Sequence, residues 1–463
     1  MSRTLYDLIG LAAGVAFILA LKGLSHPKTA RRGNMIGAFG ATLATLVVFF
    51  YAIPDSSLPL NNLGWILGAI VVGLAVGVPA ARKVQMTQMP QLVALFNGVG
   101  GGAAALVAIV EYLHLGTDAT TAEVIFTVFT VIVGCVSFSG SIITFMKLQE
   151  LMTTRPVIFP AGRFIIAATL VSVIGVGGWV VAALGTTPLL VLAVLSLLFG
   201  VLFVLPVGGA DVPIVISLLN AFTGLTVAAS GYVLDSVLLI IAGTLVGASG
   251  TILTRLMAEA MGRSLFGTLF GAFTAKPQAA SDSAEERPVR SGSPDDVAIL
   301  LNYARRVVIV PGFGLAVAQA QHTVRELADL MISKGIDVAY GIHPVAGRMP
   351  GHMNVLLAEA NVPYDQLEEM DEINPTFSQT DVAIVIGAND VVNPAAENTP
   401  GCPIYGMPIL KVANAANVIF LKRSMRPGFA GIENELLYDP KTMLLFGDAK
   451  ASLTKVVSAL KAL

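Results

Sequence analysis

Charge is scarce in this chain. Only 13% of its 463 residues are Asp, Glu, Lys or Arg, whereas 55% are hydrophobic, and its mean hydropathy is +0.78. Soluble domains carry about twice that share of charged residues, so the composition excludes an ordinary globular protein and indicates an integral membrane protein. The net charge of -2 is small and spread along the chain, which argues against a nucleic-acid partner and against a polybasic lipid-binding tail.

Cysteine is equally rare, and signals for export are missing. Cys135 lies in an apolar segment and Cys402 far along the chain, which excludes a disulfide framework, and no Cys, His or carboxylate group has metal-ligand spacing. The N-terminus lacks a basic stretch before its apolar run and an A-x-A-like site after it. We therefore interpret residues 4–23 as a retained first helix and not as a cleaved signal.

Long apolar runs fill the N-terminal part of the chain. About 20 such residues span a bilayer, and by this measure the sequence predicts nine transmembrane helices, at 4–23, 33–52, 62–80, 89–112, 121–147, 163–183, 187–206, 212–231 and 234–258. Basic residues occupy alternate connections, among them Lys28, Arg31, Arg32, Arg82, Lys83, Lys147, Arg155, Arg163, Arg255 and Arg263. By the positive-inside rule, the N-terminus faces out and the C-terminal half lies in the cytoplasm.

Polar groups inside the predicted spans are few, and none is an Asp, Glu, Lys, Arg or His at mid-membrane. A proton path built from this chain alone would contain amides, hydroxyls and water, unless a partner supplied a titrating group. The candidates for such a path are Asn97, Ser139, Asp211 and Asn220. For the hydroxyls, packing and hydrogen bonding back to the helix is the alternative.

Glycine motifs recur in the same part of the chain. Gly73-x-x-x-Gly77 and Gly243-x-x-x-Gly247 predict close helix packing. The string 98–103 (GVGGGA) matches a dinucleotide-binding pattern, but it follows half a membrane helix and no strand. We therefore assign it to helix packing.

A Pro, Ser and acidic stretch at 275–297 has no periodicity and is predicted to be a flexible tether. The predicted organisation is a transmembrane domain at 1–262, a linker at 263–297 and a nucleotide-binding domain at 298–463. In the last part, predicted strands at 306–310, 336–341, 381–387, 417–421 and 443–446 alternate with predicted helices at 315–334, 351–360 and 449–461. The sequence thus predicts an α-helical membrane bundle followed by an α/β, doubly wound, Rossmann-like domain with a parallel sheet.

The first predicted strand leads into Pro311-Gly312-Phe313-Gly314, and Val317 stands where a third glycine is often found. Gly312 permits a sharp turn, and Gly314 lets backbone approach a pyrophosphate near the helix N-terminus. The string alone is a weak signal. Its place after an apolar strand and before an Ala-rich helix is typical of a dinucleotide site.

An acidic residue is missing where an NAD site usually has one. No Asp or Glu occurs from Val338 to Ala358, although NAD sites place a carboxylate there for the ribose 2'-hydroxyl. Arg348 and the segment Lys422-Arg423-Ser424 instead offer cations and a hydroxyl, which suit a 2'-phosphate. The sequence therefore predicts NADP(H) as the cofactor; a solvated basic loop is the alternative.

Several segments together resemble the beta subunit of proton-translocating NAD(P) transhydrogenase. They are 311–320 (PGFGLAVAQA), 341–354 (GIHPVAGRMPGHMN), 387–396 (GANDVVNPAA), 422–424 (KRS) and 447–450 (GDAK), and the resemblance extends over the whole chain. It implies hydride transfer between NAD(H), held on a separate alpha subunit, and NADP(H), held on this chain, coupled to proton translocation. It also implies a bacterial inner membrane and a dimer of alpha-beta units.

The resemblance implies where NADP(H) is held. Its contacts fall on the loops of the predicted sheet, namely Phe313, Val345, Ala346, Gly347, Arg348, Met349, Pro350, Gly387, Ala388, Asn389, Asp390, Val391, Gly406, Met407, Lys422, Arg423, Ser424, Met425, Arg426, Pro427, Gly428, Phe429, Asp448 and Ala449. Gly312, Gly314 and Val317, from the glycine pattern above, complete the predicted cofactor site. Family members bind NADP flipped relative to the usual Rossmann orientation, which agrees with a 2'-phosphate at the 422–424 segment. Residues 427–431 resemble a lid with glycine hinges. Asp390 is the expected coupling residue.

Two features concern catalysis and the proton. His343 and His352 flank Arg348, but hydride transfer between nicotinamides needs geometry and water exclusion and not a protein acid or base, so we interpret both as structural. Asn97 stands where some relatives carry a histidine, which a partner helix can supply, whereas Asn220 keeps the family pattern.

A channel or transporter gated by a dinucleotide-sensing domain is the alternative function. Such a sensor commonly needs the acidic residue after its second strand and does not need a lid that excludes water. Both features of the sequence argue against it.

Overall fold

The computed structural model describes residues 3–50, 60–153, 156–208, 211–261, 264, 267, 287–348, 351–400, 402, 404–428 and 430–463. By internal contacts the chain divides into two compact units, Met1–Val207 with Ile214–Thr254, and Gly208–Pro213 with Arg255–Leu463. The first unit contains the bundle of long helices, and the second contains the sheet.

Nine long helices occur in the described part of the N-terminal half: α1 (Arg3–Leu24), α2 (Pro27–Phe50), α3 (Leu60–Lys83), α4 (Met89–Leu115), α5 (Thr121–Leu148), α6 (Gly162–Ala183), α7 (Thr186–Val204), α8 (Val212–Val233) and α9 (Val237–Ala260). Local sequence sets some of the boundaries. α5 begins at a capping box, in which Thr120 Oγ1 accepts the Glu123 N–H at 3.3 Å while Glu123 Oε2 accepts the Thr120 N–H at 2.7 Å.

Eight of these helices, within the described residues, are long and apolar enough to cross a membrane, which confirms a multi-pass membrane protein. The exception is α2. Its first turns contain Lys28, Arg31 and Arg32, and its last three side chains lie outside the described residues. The crossing of the membrane by α2, and with it the count of nine spans, stays a prediction.

Glycines let α4 and α5 touch. A Cβ on Gly98 would lie 2.9 Å from Ser141 Cβ, and one on Gly101 would lie 2.9 Å from Ser137 Cβ. Real Cβ atoms do not approach that closely, so the two helices could not pack this way with larger residues. The string 98–103 therefore serves helix packing, as predicted.

The two glycine motifs differ in what they contact. A Cβ on Gly243 would lie 2.3 Å from the backbone nitrogen of Ala228, so α9 packs on α8 there, as predicted. Around Gly73 and Gly77 of α3, by contrast, no described atom lies within 4 Å of the position of a Cβ. A packing role for that motif stays a prediction.

Lys147 has a position that the sequence-based interpretation missed. Lys147 ends the predicted helix at 121–147 and was counted with the basic residues of the connection that follows. The residue lies in the last turn of α5, but its side chain is 0% exposed. Its ammonium donates to the carbonyl oxygens of Val204 at 3.2 Å, Leu205 at 2.7 Å and Val207 at 2.7 Å. These carbonyls lie at and just after the C-terminal end of α7, where the last carbonyls of a helix lack partners within the helix, and those of Val204 and Leu205 also accept the N–H groups of Val207 and Val157, each at 3.1 Å. Lys147 thus caps a neighbouring helix at the negative end of its dipole.

The second unit contains a six-stranded, all-parallel sheet with helices between its strands. The strands are β1 (Arg306–Pro311), β2 (Asp337–Ile342), β3 (Leu367–Glu369), β4 (Val382–Ile386), β5 (Asn417–Lys422) and β6 (Thr442–Phe446), in the order β3-β2-β1-β4-β5-β6. The principal helices are α10 (Pro294–Asn302), α11 (Phe313–Val317), α12 (Gln321–Ser333), α13 (His352–Glu359) and α14 (Ala449–Ala462). One-turn helices lie at Met370–Ile373 and Ala395–Asn398. The structure confirms the predicted parallel, doubly wound sheet, and its strand order reverses between β1 and β4.

Two local features of the sheet domain differ from prediction. β3 was not predicted, because a three-residue edge strand is too short to show a hydrophobic pattern. The predicted helix at 315–334 is instead two helices, α11 and α12. Gln319 has a positive φ of 49°, and the Ala320 N–H bonds to the carbonyl of Leu315 at 3.2 Å, a Schellman-type closure that ends α11.

α10 begins inside the predicted tether. Ser293 Oγ accepts the Asp296 N–H at 3.2 Å while Asp296 Oδ2 accepts the Ser293 N–H at 2.8 Å, a capping box that marks the start of the helix. Just before it, Leu444 of β6 donates to the carbonyl of Arg290 at 2.8 Å. The sheet unit therefore includes residues on the N-terminal side of 298. The domain boundaries stay a prediction, since 268–286 lies outside the described residues.

We expect Lys147→Met to lower the thermal stability of the purified protein in detergent. Methionine retains an apolar stem of similar length but removes the three hydrogen bonds that the ammonium donates, and hydrogen bonds to charged groups contribute roughly 1.5–3 kcal/mol each. Thermal unfolding should show a melting temperature several degrees lower than that of the unmodified protein. The control is Lys22→Met, at an exposed lysine in the last turn of α1. Equal melting temperatures for the two variants would contradict the capping role.

Candidate functional site

The loops that follow β1 and β4 are bonded backbone to backbone where the strand order reverses. The Gly312 N–H donates to the carbonyl of Ile386, and the Gly314 N–H donates to that of Gly387, both at 2.9 Å. A Cβ on Gly312 would lie 2.4 Å from Ala388 Cα, and one on Gly314 would lie 2.7 Å from Gly387 Cα. Both positions therefore require glycine, because the β4 loop lies where a side chain would be.

Asp390 continues the β4 loop and contacts the segment that follows β5. Its Oδ2 accepts the Ala430 N–H at 3.0 Å, and its Oδ1 accepts from Asn389 Nδ2 at 3.1 Å. A Cβ on Gly428 would lie 2.5 Å from Asp390 Oδ1. The structure thus brings the predicted coupling residue against the predicted lid, and both carboxylate oxygens have partners in this chain.

The basic segment at the end of β5 separates into two parts. Lys422 is half-buried, and its Nζ donates to Asn389 Oδ1 at 3.2 Å and to the carbonyl of Arg426 at 3.3 Å. Burial lowers the pKa of Lys422, an effect that the charge of Asp390 opposes. Arg423 and Ser424, by contrast, are exposed. Lys422 therefore ties the β5 end to the β4 loop, while its neighbours face solvent.

Arg348 lies against the β1 loop. Its guanidinium carbon is 4.5 Å from the centre of the Phe313 ring, and that ring meets His352 in a T-shaped contact at 6.0 Å. The Arg348 N–H donates to His352 Nδ1 at 3.1 Å. Burial, together with the charge of Arg348, lowers the pKa of His352. The β1 loop and the loop after β2 thus meet through these three side chains.

His343 is a buried, neutral histidine. Its Nδ1 accepts the Val345 N–H at 3.2 Å, which leaves Nε2 to donate to the carbonyl of Pro408 at 2.8 Å. Burial lowers its pKa to about 4. The hydrogen bonds of both histidines are to backbone of this chain, which agrees with the structural interpretation.

Several other predicted contacts meet in one apolar cluster. Its buried members are Ala395, Ala396, Cys402, Ile404, Met407 and Ile409, and Val345, Val391 and Ala430 pack against them. Gly406 has a positive φ of 83° and donates its N–H to the carbonyl of Ala396 at 2.9 Å. The loops after β2, β4 and β5 therefore share this cluster.

The remaining predicted contacts are more scattered. Asp448 caps α14 by accepting the Ala451 N–H at 3.1 Å, and the preceding Gly447 N–H bonds to the carbonyl of Lys422 at 3.0 Å. Ala346 and Ala449 are buried, Gly347 and Met425 are half-buried, and Val317 and Pro427 are exposed. Met349, Pro350 and Phe429 lie outside the described residues.

A second polar site lies inside the helical bundle, where α4, α5 and α8 meet. Asn97 is 9% exposed, and its Nδ2 donates to Ser141 Oγ at 3.0 Å and to Ser137 Oγ at 3.3 Å. Ser137 Oγ also pairs with Thr223 Oγ1 at 2.6 Å. Asn97 Oδ1 is buried and has no hydrogen-bond partner in the described part of the chain. Thr223 was missed by sequence reasoning, because an isolated hydroxyl in an apolar helix usually bonds to its own backbone.

The other three predicted path residues do not join this cluster in the same way. Ser139 Oγ bonds back to the carbonyl of Cys135 at 3.0 Å, as the packing alternative for hydroxyls expects. Asn220 is half-buried on α8, next to Leu219, whose carbonyl accepts from Ser137 Oγ at 3.0 Å. Asp211 is buried, one residue before α8 begins.

Comparison with known proteins adds a whole-chain similarity. The family described as NAD(P) transhydrogenase beta subunit matches residues 6–459. Two curated relatives from Rhodospirillum rubrum, each described as NAD(P) transhydrogenase subunit beta, are 46% identical to this chain over 469 aligned residues. The alignment covers 99% of this chain and 100% of each relative.

We expect His343→Gln to flatten the acid dependence of stability. In the unfolded chain the histidine has an ordinary pKa near 6.5, whereas in the folded chain its pKa is about 4. As the pH falls from 6.5 toward 4, the unfolded state binds a proton that the folded state does not. The contribution of this group to stability is thus complete above pH 6.5, and about 3 kcal/mol is lost by pH 4. Thermal unfolding at pH 7 and pH 4.5 measures this: the melting temperature should fall less between the two pH values in the variant than in the unmodified protein. An equal fall in both proteins would refute the prediction. His322→Gln, at an exposed histidine, is the control.

Proposed function

This chain belongs to the NAD(P) transhydrogenase beta-subunit family, and on that premise we propose that it holds NADP(H) at the carboxyl edge of its sheet. Hydride exchanges there with NAD(H) held on an alpha subunit, and the exchange is coupled to proton translocation across the bacterial inner membrane. The observation that carries the proposal is the meeting of the β1, β4 and β5 loops at the point of strand reversal, with basic side chains around it.

The side chains at this edge suit a dinucleotide with a 2'-phosphate. Arg348, Lys422 and Arg423 are cations, whereas Asp390 already has hydrogen-bond partners for both carboxylate oxygens. A guanidinium and an ammonium bind phosphate oxygens through charge-assisted hydrogen bonds. The missing acidic residue after β2 removes the carboxylate that would repel a 2'-phosphate. When bound, NADPH supplies the hydride.

The residues of this chain then have separate tasks. Arg423 and Ser424 are exposed and bind the 2'-phosphate, while Lys422 keeps the β5 end on the β4 loop through Asn389. The ring of Phe313 positions the guanidinium of Arg348 for the phosphates through a cation-π contact. The apolar cluster beneath the loops excludes water from the reacting end of the nucleotide. Hydride transfer then depends on the alignment of the two nicotinamides and on the exclusion of water, and it needs no protein acid or base.

Asp390 is the coupling residue in this proposal. Its carboxylate accepts hydrogen bonds from the backbone N–H of Ala430, which lies within the predicted lid at 427–431, and from the side chain of Asn389. The side chain of Asn389 in turn accepts a hydrogen bond from Lys422. A change in its charge would therefore alter the lid contact and the basic segment together. Coupling of this kind is a difference in nucleotide affinity between two states.

The cluster around Asn97 supports the proton path. The buried Oδ1 of Asn97 lacks a hydrogen-bond donor among the described residues, and buried polar atoms are usually hydrogen-bonded. A titrating group from a membrane helix of the alpha subunit, or a water molecule, would supply the donor. We place Asn220 on the same path because α8 also supplies Thr223 to this cluster. The proposed orientation has the N-terminus outside and the sheet domain in the cytoplasm, within a dimer of alpha-beta units.

We expect Arg423→Ala to weaken NADPH binding by roughly tenfold or more, since a charge-assisted hydrogen bond contributes about 1.5–3 kcal/mol. The NADPH dissociation constant, measured by fluorescence titration of the alpha-beta complex, checks this. Binding of NAD(H) by the alpha subunit should not change. Arg305→Ala, at an exposed arginine at the opposite edge of the sheet, is the matched control. An NADPH affinity equal to that of the control would remove Arg423 from the site.

We expect Asn97→Leu to abolish proton translocation, because it removes the amide that joins α4 to the hydroxyls of α5. Acidification of vesicles that contain the alpha-beta complex measures translocation, and NADPH titration of the same complex should be unaffected. Ser196→Ala is the control, since this buried hydroxyl bonds only within its own helix to the carbonyl of Leu192 at 2.7 Å among the described contacts. Normal pumping by Asn97→Leu would exclude Asn97 from the path.

A further inference from the structure

Two buried asparagines lie beside the β4 loop. Asn393 is 0% exposed and Asn434 is 1% exposed. Each uses its side-chain oxygen to stabilise its own turn: Asn393 Oδ1 accepts the Ala395 N–H at 3.0 Å, and Asn434 Oδ1 accepts the Leu436 N–H at 3.1 Å. Asparagine is favoured at such positions because its side chain closes the turn on its own backbone.

The amide nitrogens of the same two residues cross between the segments. Asn393 Nδ2 donates to the carbonyl of Glu433 at 3.2 Å, and Asn434 Nδ2 donates to the carbonyl of Asn389 at 3.2 Å. Each asparagine therefore fixes its own turn and holds the backbone of the other segment. The arrangement is reciprocal, although 41 positions separate the two residues in the sequence.

We propose that Asn393 and Asn434 form a clasp that positions Asp390 for its role in the nucleotide site. The two crossing bonds involve Asn389 and Asn393, which stand on either side of Asp390 in the chain. The backbone before and after the carboxylate is thus held to the segment at 433–434. Asn389 is also the residue that Lys422 contacts, so the clasp fixes that contact as well.

The clasp differs from Asp390 in one physical respect. Amide side chains do not titrate, so the clasp keeps its hydrogen bonds when the pH changes, whereas the bonds to Asp390 depend on a carboxylate. The clasp therefore holds the segment on both sides of Asp390 through bonds that do not involve its carboxylate, so the Ala430 contact can change without releasing the whole segment. Asn393 and Asn434 are positioning residues, since they act through Asp390 and Asn389 and touch no reacting atom.

The inference rests on the proposed binding of NADP(H) by this chain, and its test uses the complete alpha-beta complex in detergent. Asn434→Ala removes the donor to Asn389 and should speed the release of NADPH, followed by stopped-flow fluorescence, by roughly tenfold. The increase should be the same at pH 6 and pH 8, because no titrating group is removed. Asn434→Asp keeps the acceptor for the Leu436 N–H and loses the same donor, so it should act in the same direction if the alanine variant does not fold.

Asn417→Ala is the matched control. Asn417 Nδ2 also donates to a backbone carbonyl, that of Asp381, at 3.3 Å, but at the opposite edge of the sheet. Replacement of an asparagine whose role is only structural should lower the melting temperature and leave the rate of NADPH release unchanged. This is the result expected of Asn417→Ala.

The double variant Asn393→Ala with Asn434→Ala tests whether the pair acts as one unit. Its NADPH release should be no faster than that of the faster single variant, because either loss opens the clasp. Additive increases in rate would overturn the reciprocal clasp. So would unchanged release in both single variants when the unmodified complex binds NADPH. Failure of the unmodified complex to bind NADPH would instead overturn the proposed function.

Discussion

The sheet domain depends on one constraint, the contact between two backbones at the point where the strand order reverses. Gly312 and Gly314 press on Gly387 and Ala388 so closely that neither of the first two could carry a side chain. The contact brings the loop with Phe313 beside the loop that continues to Asp390. The β1 loop contacts Arg348 through Phe313, and the β4 loop contacts Lys422 through Asn389. A dinucleotide-binding pattern explains these glycines by the close approach of a phosphate. In this structure the close approach of the β4 loop already requires them.

The helical bundle uses the same means for a different end. Gly98 and Gly101 let α4 approach α5 until the side chain of Asn97 reaches two serine hydroxyls. Close approach of helices in a membrane favours van der Waals contact, and it also allows short polar side chains to meet across the interface. In each half of the chain, a missing Cβ decides which polar groups come together.

Sequence patterns predicted what is local and repeated. The strands, the first glycine loop and the basic segment after β5 each have a signature within a few residues, and the structure has β1, β2, β4, β5 and β6 close to the predicted bounds. Lys147 had no such signature, because charge at a helix end indicates the membrane side but not the carbonyls it will meet. The clasp of Asn393 with Asn434 was equally hidden, since its bonds join segments that are distant in sequence. Only the folded chain shows which polar groups lie opposite one another.

The hydrogen bonds around Asp390 join the loop after β4 to the basic end of β5 and to the segment that follows it. Lys422, Asn389, Asp390 and Ala430 form a continuous series of hydrogen bonds from the end of β5 to the segment that follows it. If Asp390 bound a proton, its bonds to Asn389 and to Ala430 would both change, and Asn389 would pass the change to Lys422. Linkage requires the converse as well, so in the proposed function a phosphate bound at Lys422 and Arg423 would act on the contacts of Asp390 through the same hydrogen bonds. The proposed coupling therefore requires a residue whose contacts join the lid segment to the basic end of β5, and Asp390 has such contacts in this structure.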